Sequence, residues 1–211
     1  MKSLLIDTST QMLSVAINEN NEVAAEINTN IKVNHSETLM VYIDQLFNMA
    51  RTERTDIERV IVARGPGSYT GLRIGVTVGK VLAQELNIPL YSVSSLFVMY
   101  ASSGIKNISV YPVIDARRGT VFTAGYRDSD TLLNPQHMEF SDLKTDEESI
   151  IIGNLSDKIA ANIDGFKHVQ TRIAHVERFE SHLTPENIHA FVPEYLRLSE
   201  AEANWKQQLD K

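Results

Sequence analysis

The chain of 211 residues contains no cysteine. That excludes disulfides, thiolate catalysis and metal sites built on sulfur ligands. It also lacks a basic excess. Twenty Lys and Arg stand against 27 Asp and Glu, a formal net charge of −7, whereas gripping nucleic acid unaided calls for a basic footprint. No apolar run is clean enough to span a bilayer, because the greasiest stretch, about 86–99, is broken by Asn87, Pro89 and serines. Asp7 interrupts the opening apolar run, so no signal region, no membrane association and a cytoplasmic location are expected. No block of like charge or low-complexity segment marks a disordered tail. What remains, 43% hydrophobic and 22% charged, is the composition of an ordinary globular protein, long enough for one substantial core or two small lobes.

The order of elements points to an α/β fold. Residues 3–6 read as a buried strand ending at Asp7, residues 12–18 alternate as a second strand, and Asn20-Asn21 turns into a third at 22–27. A helix is expected from His35 to about Arg51, opened by Asn34 with Glu37 in a capping-box pattern. A strand at 59–63, a helix at 70–87 and a strand at 90–93 follow, giving a βββαβαβ core for residues 1–103. Val113-Ile114-Asp115, followed by Val121-Phe122-Thr123-Ala124, echoes Ile6-Asp7 followed by Ser14-Val15-Ala16. This suggests a shorter, degenerate second lobe over 104–211, joined at Ser102-Ser103-Gly104, with a further strand at 150–152.

The strongest motif lies between a β-branched strand and an apolar helix: Arg64-Gly65-Pro66-Gly67-Ser68-Tyr69-Thr70-Gly71-Leu72-Arg73-Ile74-Gly75. Gly65 and Gly67 permit backbone angles closed to other residues, and Pro66 fixes a torsion between them. Such a turn either cradles a phosphate at a helix N-terminus or lets a helix lie very close to a sheet. No Lys-Ser/Thr follows the glycines, so it is not a Walker loop. A dinucleotide site would want an acidic residue closing the next strand, which instead ends Ser92-Val93-Ser94-Ser95. Gly75 and Gly79 fall on the helix face expected to press on the sheet.

Both long helices carry more apolar surface than one face needs. On the first, Leu39, Ile43, Leu46 and Ala50 form the core line, flanked by Met40 and Phe47 on one side and Tyr42 and Met49 on the other. On the second, Gly71, Gly75, Val78, Leu82 and Leu86 share a face, with Ile74 and Val81 on one flank and Leu72, Val76 and Ala83 on the other. Two neighbouring helices with such a surplus either bury it against each other or form a helical-bundle interface with another molecule, and the second, including a two-fold dimer, is the expectation.

Other chemistry is thinly represented. Asp7-Thr8-Ser9-Thr10 places an acid and hydroxyls at a strand end, which suits either a hydrated magnesium ion with phosphate oxygens or a plain Asx turn. His168, His175, His182 and His189 recur every seven residues, but the glycine- and proline-broken sequence around them cannot form one helix. Ser36 has no base-and-orienter partners in sequence. Arg117-Arg118 is an anion-binding candidate or an exposed hairpin turn.

Six segments, in order over nearly the whole chain, resemble the TsaB (YeaZ) family: Ile6-Asp7-Thr8-Ser9-Thr10, His35-Ser36-Glu37, residues 65–75, Val93-Ser94-Ser95-Leu96, Ile114-Asp115-Ala116-Arg117-Arg118-Gly119 and Tyr195-Leu196-Arg197. The resemblance implies a two-lobe, actin-like and sugar-kinase-like (RNase H-like) ATPase fold. It also implies a part in forming threonylcarbamoyladenosine beside the tRNA anticodon. In that pathway TsaD is the catalytic relative, TsaB its non-catalytic scaffolding partner and TsaE an ATPase that joins them. TsaD carries a metal-binding His-x-x-x-His pair, and the positions here that match are Ser95 and Met99, so neither a transferase nor a metallopeptidase centre is expected.

On this resemblance tRNA is met only through the complex, and the chain is a homodimer when alone. The expected contacts are Met40, Ile43 and Phe47 with Leu72, Arg73, Val76, Thr77 and Lys80, over a structural turn of Gly65, Pro66, Gly67, Gly71 and Gly75. Asp7, Thr8 and Ser9 keep the look of a degenerate phosphate motif. No catalytic residue, metal or tightly bound cofactor is expected, and ATP or ADP is expected, if anywhere, at the boundary of the complex. The alternatives left open are an independent nucleotide-binding, ATPase-like enzyme and a metallopeptidase-like protein.

Overall fold

The computed structural model describes residues 1–30, 34–155, 160, 163 and 165–197. Strands β1 (Lys2–Asp7), β2 (Leu13–Glu19) and β3 (Glu22–Thr29) form an antiparallel meander. Helix α1 (His35–Ala50) then crosses to β4 (Arg59–Gly65), which lies parallel to β1. Helix α2 (Tyr69–Glu85) crosses to β5 (Leu90–Ser94), parallel to β4. Both faces of this sheet are covered, so its central strands read as unbroken apolar runs. Alternation assigns each residue a side. Leu4, Ile6, Val60 and Val62 pack with α1 and α2, and Leu5, Ile61, Ala63 and Val93 pack on the opposite face.

That opposite face meets α3 (Ser95–Ser103), which starts directly at the end of β5 and stops at Gly104 in a left-handed conformation (φ 64°). Every residue of α3 from Ser95 to Ala101 is buried. The helix sits between two sheets and shows no amphipathic stripe, so the sequence pattern did not set it apart.

The second sheet contains β6 (Ser109–Asp115), β7 (Thr120–Arg127), β8 (Asp130–Glu139), β9 (Ser149–Gly153) and β10 (Lys167–His168). Its order, β10-β9-β6-β7-β8, repeats β5-β4-β1-β2-β3 of the first, with the same parallel and antiparallel pairings. The echo between Ile6-Asp7 and Ile114-Asp115 therefore has a topological counterpart: both pairs end the strand that opens a meander.

The polypeptide then returns to the first lobe. Strand β11 (Thr184–Glu186) pairs antiparallel with β5 and completes a six-stranded first sheet. Upstream of it, the short helix Ile173–Arg178 is pinned under β1, β2 and β4. Asn18 Nδ2 donates to the Ala174 carbonyl at 2.8 Å, the Ile173 amide donates to Ser14 Oγ at 2.9 Å, and Arg59 pairs with buried Glu177 at 2.9 Å. A division at 103/104 thus separates the two meanders but not the two lobes, since residues 173–178 and 184–195 are built into the first. The seven-residue histidine spacing falls on one strand, two separate short helices and a turn, and gathers no site.

One local expectation is corrected. Asn34 does cap α1, accepting from the Ser36 amide at 3.3 Å, but no reciprocal box forms, because Glu37 accepts from the Asn34 side-chain amide instead.

Candidate functional site

The end of β1 and the glycine turn are packed backbone to backbone. The Ser68 amide donates to the Ser9 carbonyl at 2.7 Å, and Thr8 Oγ1 donates to the Gly71 carbonyl at 2.7 Å. A Cβ on Gly71 would meet the Thr8 carbonyl oxygen, one on Gly75 the Thr8 hydroxyl, and one on Gly79 the Val62 side chain. Gly65 has φ +120°, a conformation closed to other residues. Ser68 caps α2 through the Gly71 amide at 3.2 Å. Of the two readings of the turn, close approach of helix to sheet is the one this geometry serves.

Asp7 lies beneath this contact, 1% exposed, with Oδ1 accepting from the Ser9 amide at 2.8 Å and Oδ2 without a partner. Burial raises its pKa, against the lowering effects of neighbouring Ser9 and the His35 charge. A nucleotide phosphate needs donors here. The Ser68 and Gly71 amides and the Thr8 hydroxyl are already engaged, and the one donor among the Asp7, Thr8 and Ser9 side chains without a partner is Ser9 Oγ, beside a carboxyl group. The Asp7, Thr8 and Ser9 side chains as placed do not fit a phosphate cradle.

Over this floor opens a cleft of about 1100 Å³ between the lobes. Residues separated by most of the chain line it: Ser9 and Thr10 after β1, His35 at the start of α1, Pro66 and Gly67 of the glycine turn, Asp115 and Arg117 after β6, and Tyr195 and Arg197. Each belongs to one of the segments that carried the family resemblance. His35 Nε2 lies 3.1 Å from the Thr10 carbonyl. Tyr195 stacks on Tyr69 with ring centroids 4.5 Å apart, and the Arg73 guanidinium lies over the Tyr69 ring at 4.2 Å. The sequence alone gave Tyr195 and Arg197 no structural role, because their partners are about 80 to 125 residues away.

The outward face of α1 and α2 is the other candidate. Five of the ten large hydrophobic side chains exposed among the described residues lie on these helices: Met40, Val41, Met49, Tyr69 and Val81, the last 59% exposed. Phe47 is half-buried, and Arg73 and Thr77 are exposed. Three expected contact residues are corrected. Ile43, Leu72 and Val76 are at most 3% exposed. Ile43 and Val76 are held in the core beneath the two helices, and Leu72 lies against the glycine turn at Gly65. Lys80 is half-buried and donates to the carbonyls of Phe191 (2.8 Å) and His189 (3.4 Å), so it fastens the C-terminal segment to α2. Val41, Met49 and Val81 were missing from the expected set, although the wheel had placed Met49 and Val81 on apolar flanks.

Ser95 and Met99 are both buried on α3, and among the described residues no group of three or more His, Cys, Asp or Glu is placed to hold a metal ion. No helix among them is long and apolar enough to cross a membrane.

Comparison with known proteins converges. The model of the family TsaD, tRNA N6-adenosine threonylcarbamoyltransferase, matches residues 22–149. The tRNA threonylcarbamoyladenosine biosynthesis protein TsaB of Bacillus subtilis is 35% identical over 97% of this chain and 98% of its own. The protein of that name from Escherichia coli is 34% identical over 60% of this chain and 55% of its own. Two Pseudomonas aeruginosa structures, one described as similar to peptidase YeaZ and one as YeaZ, superpose with TM-scores of 0.79 and 0.77 at 20% identity. They cover 93% and 92% of this chain and 99% of theirs. The expected α/β architecture holds, with two sheets of repeated strand order and a cleft between them.

Proposed function

This chain belongs to the TsaB family of tRNA threonylcarbamoyladenosine biosynthesis proteins, and on that premise we propose that it acts as a non-catalytic, scaffolding subunit in forming that nucleoside. It takes part in threonylcarbamoyladenosine formation. Its direct partner is a TsaD-like transferase, joined by a TsaE-like ATPase. In the absence of the transferase it pairs with a second copy of itself. tRNA is bound through the assembly, in keeping with the net charge of −7, and the protein is cytoplasmic.

The observation that carries this reading is the exposed apolar face of α1 and α2. Met40, Val41 and Met49 on one helix and Val81 on the next stand in water while the sheet beneath is already fully covered. Such a ridge loses contact with water when two further helices pack on it. At roughly 25 cal/mol per Å² of apolar area, burying a few such side chains supplies several kcal/mol toward association.

The chain's own chemistry supports the same reading. The Thr8 hydroxyl and the Ser68 and Gly71 amides are engaged in packing, Asp7 is sealed from solvent, and Ser95 and Met99 offer no ligand pair. These features argue against an independent ATPase-like enzyme and against a metallopeptidase. Any ATP or ADP belongs to a boundary between subunits, and no step is assigned to it here.

The test is an omission assay on unmodified tRNA with purified components. The expected result is full modification with all subunits, none with this chain alone, and loss of activity when it is left out. Modification by this chain unaided, or tight ATP binding with turnover, would contradict the proposal.

A further inference from the structure

We infer that residues 194–197 form a tie across the mouth of the interlobe cleft, fixing the two lobes relative to one another.

On the first lobe the tie is anchored at three points. The Glu194 amide donates to the Arg64 carbonyl at 2.8 Å, and its carboxylate pairs with Arg64 Nε at 3.0 Å. The Tyr195 ring stacks on Tyr69, and its hydroxyl accepts from Arg73 Nε at 3.2 Å. The end of β4 is shaped to receive it: a Cβ on Gly65 would meet the Glu194 carbonyl oxygen. On the second lobe Arg197 Nη1 donates to the Ala116 carbonyl at 2.7 Å, at the turn between β6 and β7. His137 of β8 lies near enough for the Arg197 charge to add to burial in lowering its pKa.

Tyr195 and Arg197 are two residues apart. Extended chain covers roughly 7 Å over that interval, so Tyr69 and Ala116 separate only if one anchor lets go. Each anchor is a stack or a few hydrogen bonds, and none is covalent. The tie is therefore releasable, and while closed it does for this cleft what a ligand bridging both lobes would do. The inference concerns the chain by itself and does not depend on how a partner docks.

The absence of cysteine makes the test clean, because two introduced cysteines are the only labelling sites. Thr70→Cys and Ser141→Cys put spin labels on either side of the cleft mouth. Both positions are exposed, and Ser141 follows Phe140, whose amide bonds to Gly119 of the β6–β7 turn. Pulsed electron resonance on the otherwise unaltered chain should give one narrow distance distribution. Arg197→Ala should broaden it or move it to longer distances, with the far-UV spectrum unchanged. Arg197→Lys, which can still donate to the same carbonyl, should restore most of the narrow component. Tyr195→Ala, cutting the other anchor, should reproduce the broadening, and it carries the test should Arg197→Ala fail to fold. An unchanged distribution in the alanine variants would overturn the inference.

Discussion

Gly71 is glycine because the carbonyl oxygen of Thr8 occupies the place of its side chain. That oxygen belongs to backbone and cannot swing aside, so Gly71→Ala should cost about 2 kcal/mol, in the range of overpacked cores. Chemical denaturation should show a lower midpoint with an unchanged slope. Gly104→Ala is the contrasting case. Nothing lies within 4 Å of its missing Cβ, and only its left-handed φ of +64° resists substitution, so about 1 kcal/mol is expected. Asp7 gives a prediction in pH. Burial raises its folded pKa, so the folded state holds this proton more tightly than the unfolded chain does. The contribution of Asp7 to stability is therefore greatest at low pH. It declines as pH rises from the ordinary carboxylate value, about 4, to the raised folded value, and is constant above. Asp7→Asn retains an acceptor for the Ser9 amide and should remove that decline. Compared across pH 4 to 8 by urea denaturation, the variant should be at least as stable as the parent at neutral pH. At this scale the sequence was informative where chemistry is local: a strand-turn-helix studded with glycine announced a close approach, and an acid followed by hydroxyls announced a turn.

At the scale of elements, α1 and α2 divide their apolar residues between two tasks. The sheet takes Leu39, Ile43 and Leu46 from one helix and Leu72, Val76 and Ala83 from the other, and the outer face keeps Met40, Val41, Met49 and Val81. A helical wheel shows that the stripe is too wide, but not which arc the sheet covers, and so Ile43, Leu72 and Val76 were legible as apolar yet misplaced at the surface. The division has a direct consequence. Val76→Asp, at a position 3% exposed, should unfold or severely destabilise the chain, because a buried unpaired charge costs several kcal/mol. Val81→Asp should leave the melting temperature within a degree or two and affect only association. Helix α3 was illegible for a related reason: covered on two sides, it has no polar face to give it a period. The segment from Ile173 to His182 folds as short 3-10 turns with no period at all, and its anchors lie far upstream. Arg59, nearly buried, bonds to Ser3 Oγ, Glu177 and Glu180. Burial works against its charge, and the bonds to Glu180 and Glu177 more than restore it. Arg59→Ala leaves Glu177 buried and unpaired, which should cost about 3–5 kcal/mol. Hydrogen exchange should then quicken first in Ile173–Arg178 and β11.

For the whole molecule, the family's sequence segments converge on a cleft whose floor is the packed contact of the glycine turn with the end of β1 and whose mouth is bridged by the chain's own Tyr195 and Arg197. Outside that cleft, the crossover helices leave Met40, Val41, Met49 and Val81 exposed. On the proposed reading the lobes are held by the tie at 194–197 and association runs through side chains exposed on α1 and α2. The fold's repeated meander could be glimpsed from one Ile-Asp pair, whereas the return of the C-terminal segment to the first sheet could not, because it depends on pairing between residues about 90 to 170 apart. On the proposed function the molecule works by docking through α1 and α2. The most direct measurement is sedimentation of the Met40→Glu, Val81→Asp double variant, alone and mixed with the TsaD-like transferase, beside the unaltered chain. The expected result is a folded variant that stays monomeric and leaves the transferase unbound, while the parent pairs with itself and with the transferase. A folded variant that binds the transferase as tightly as the parent would contradict it.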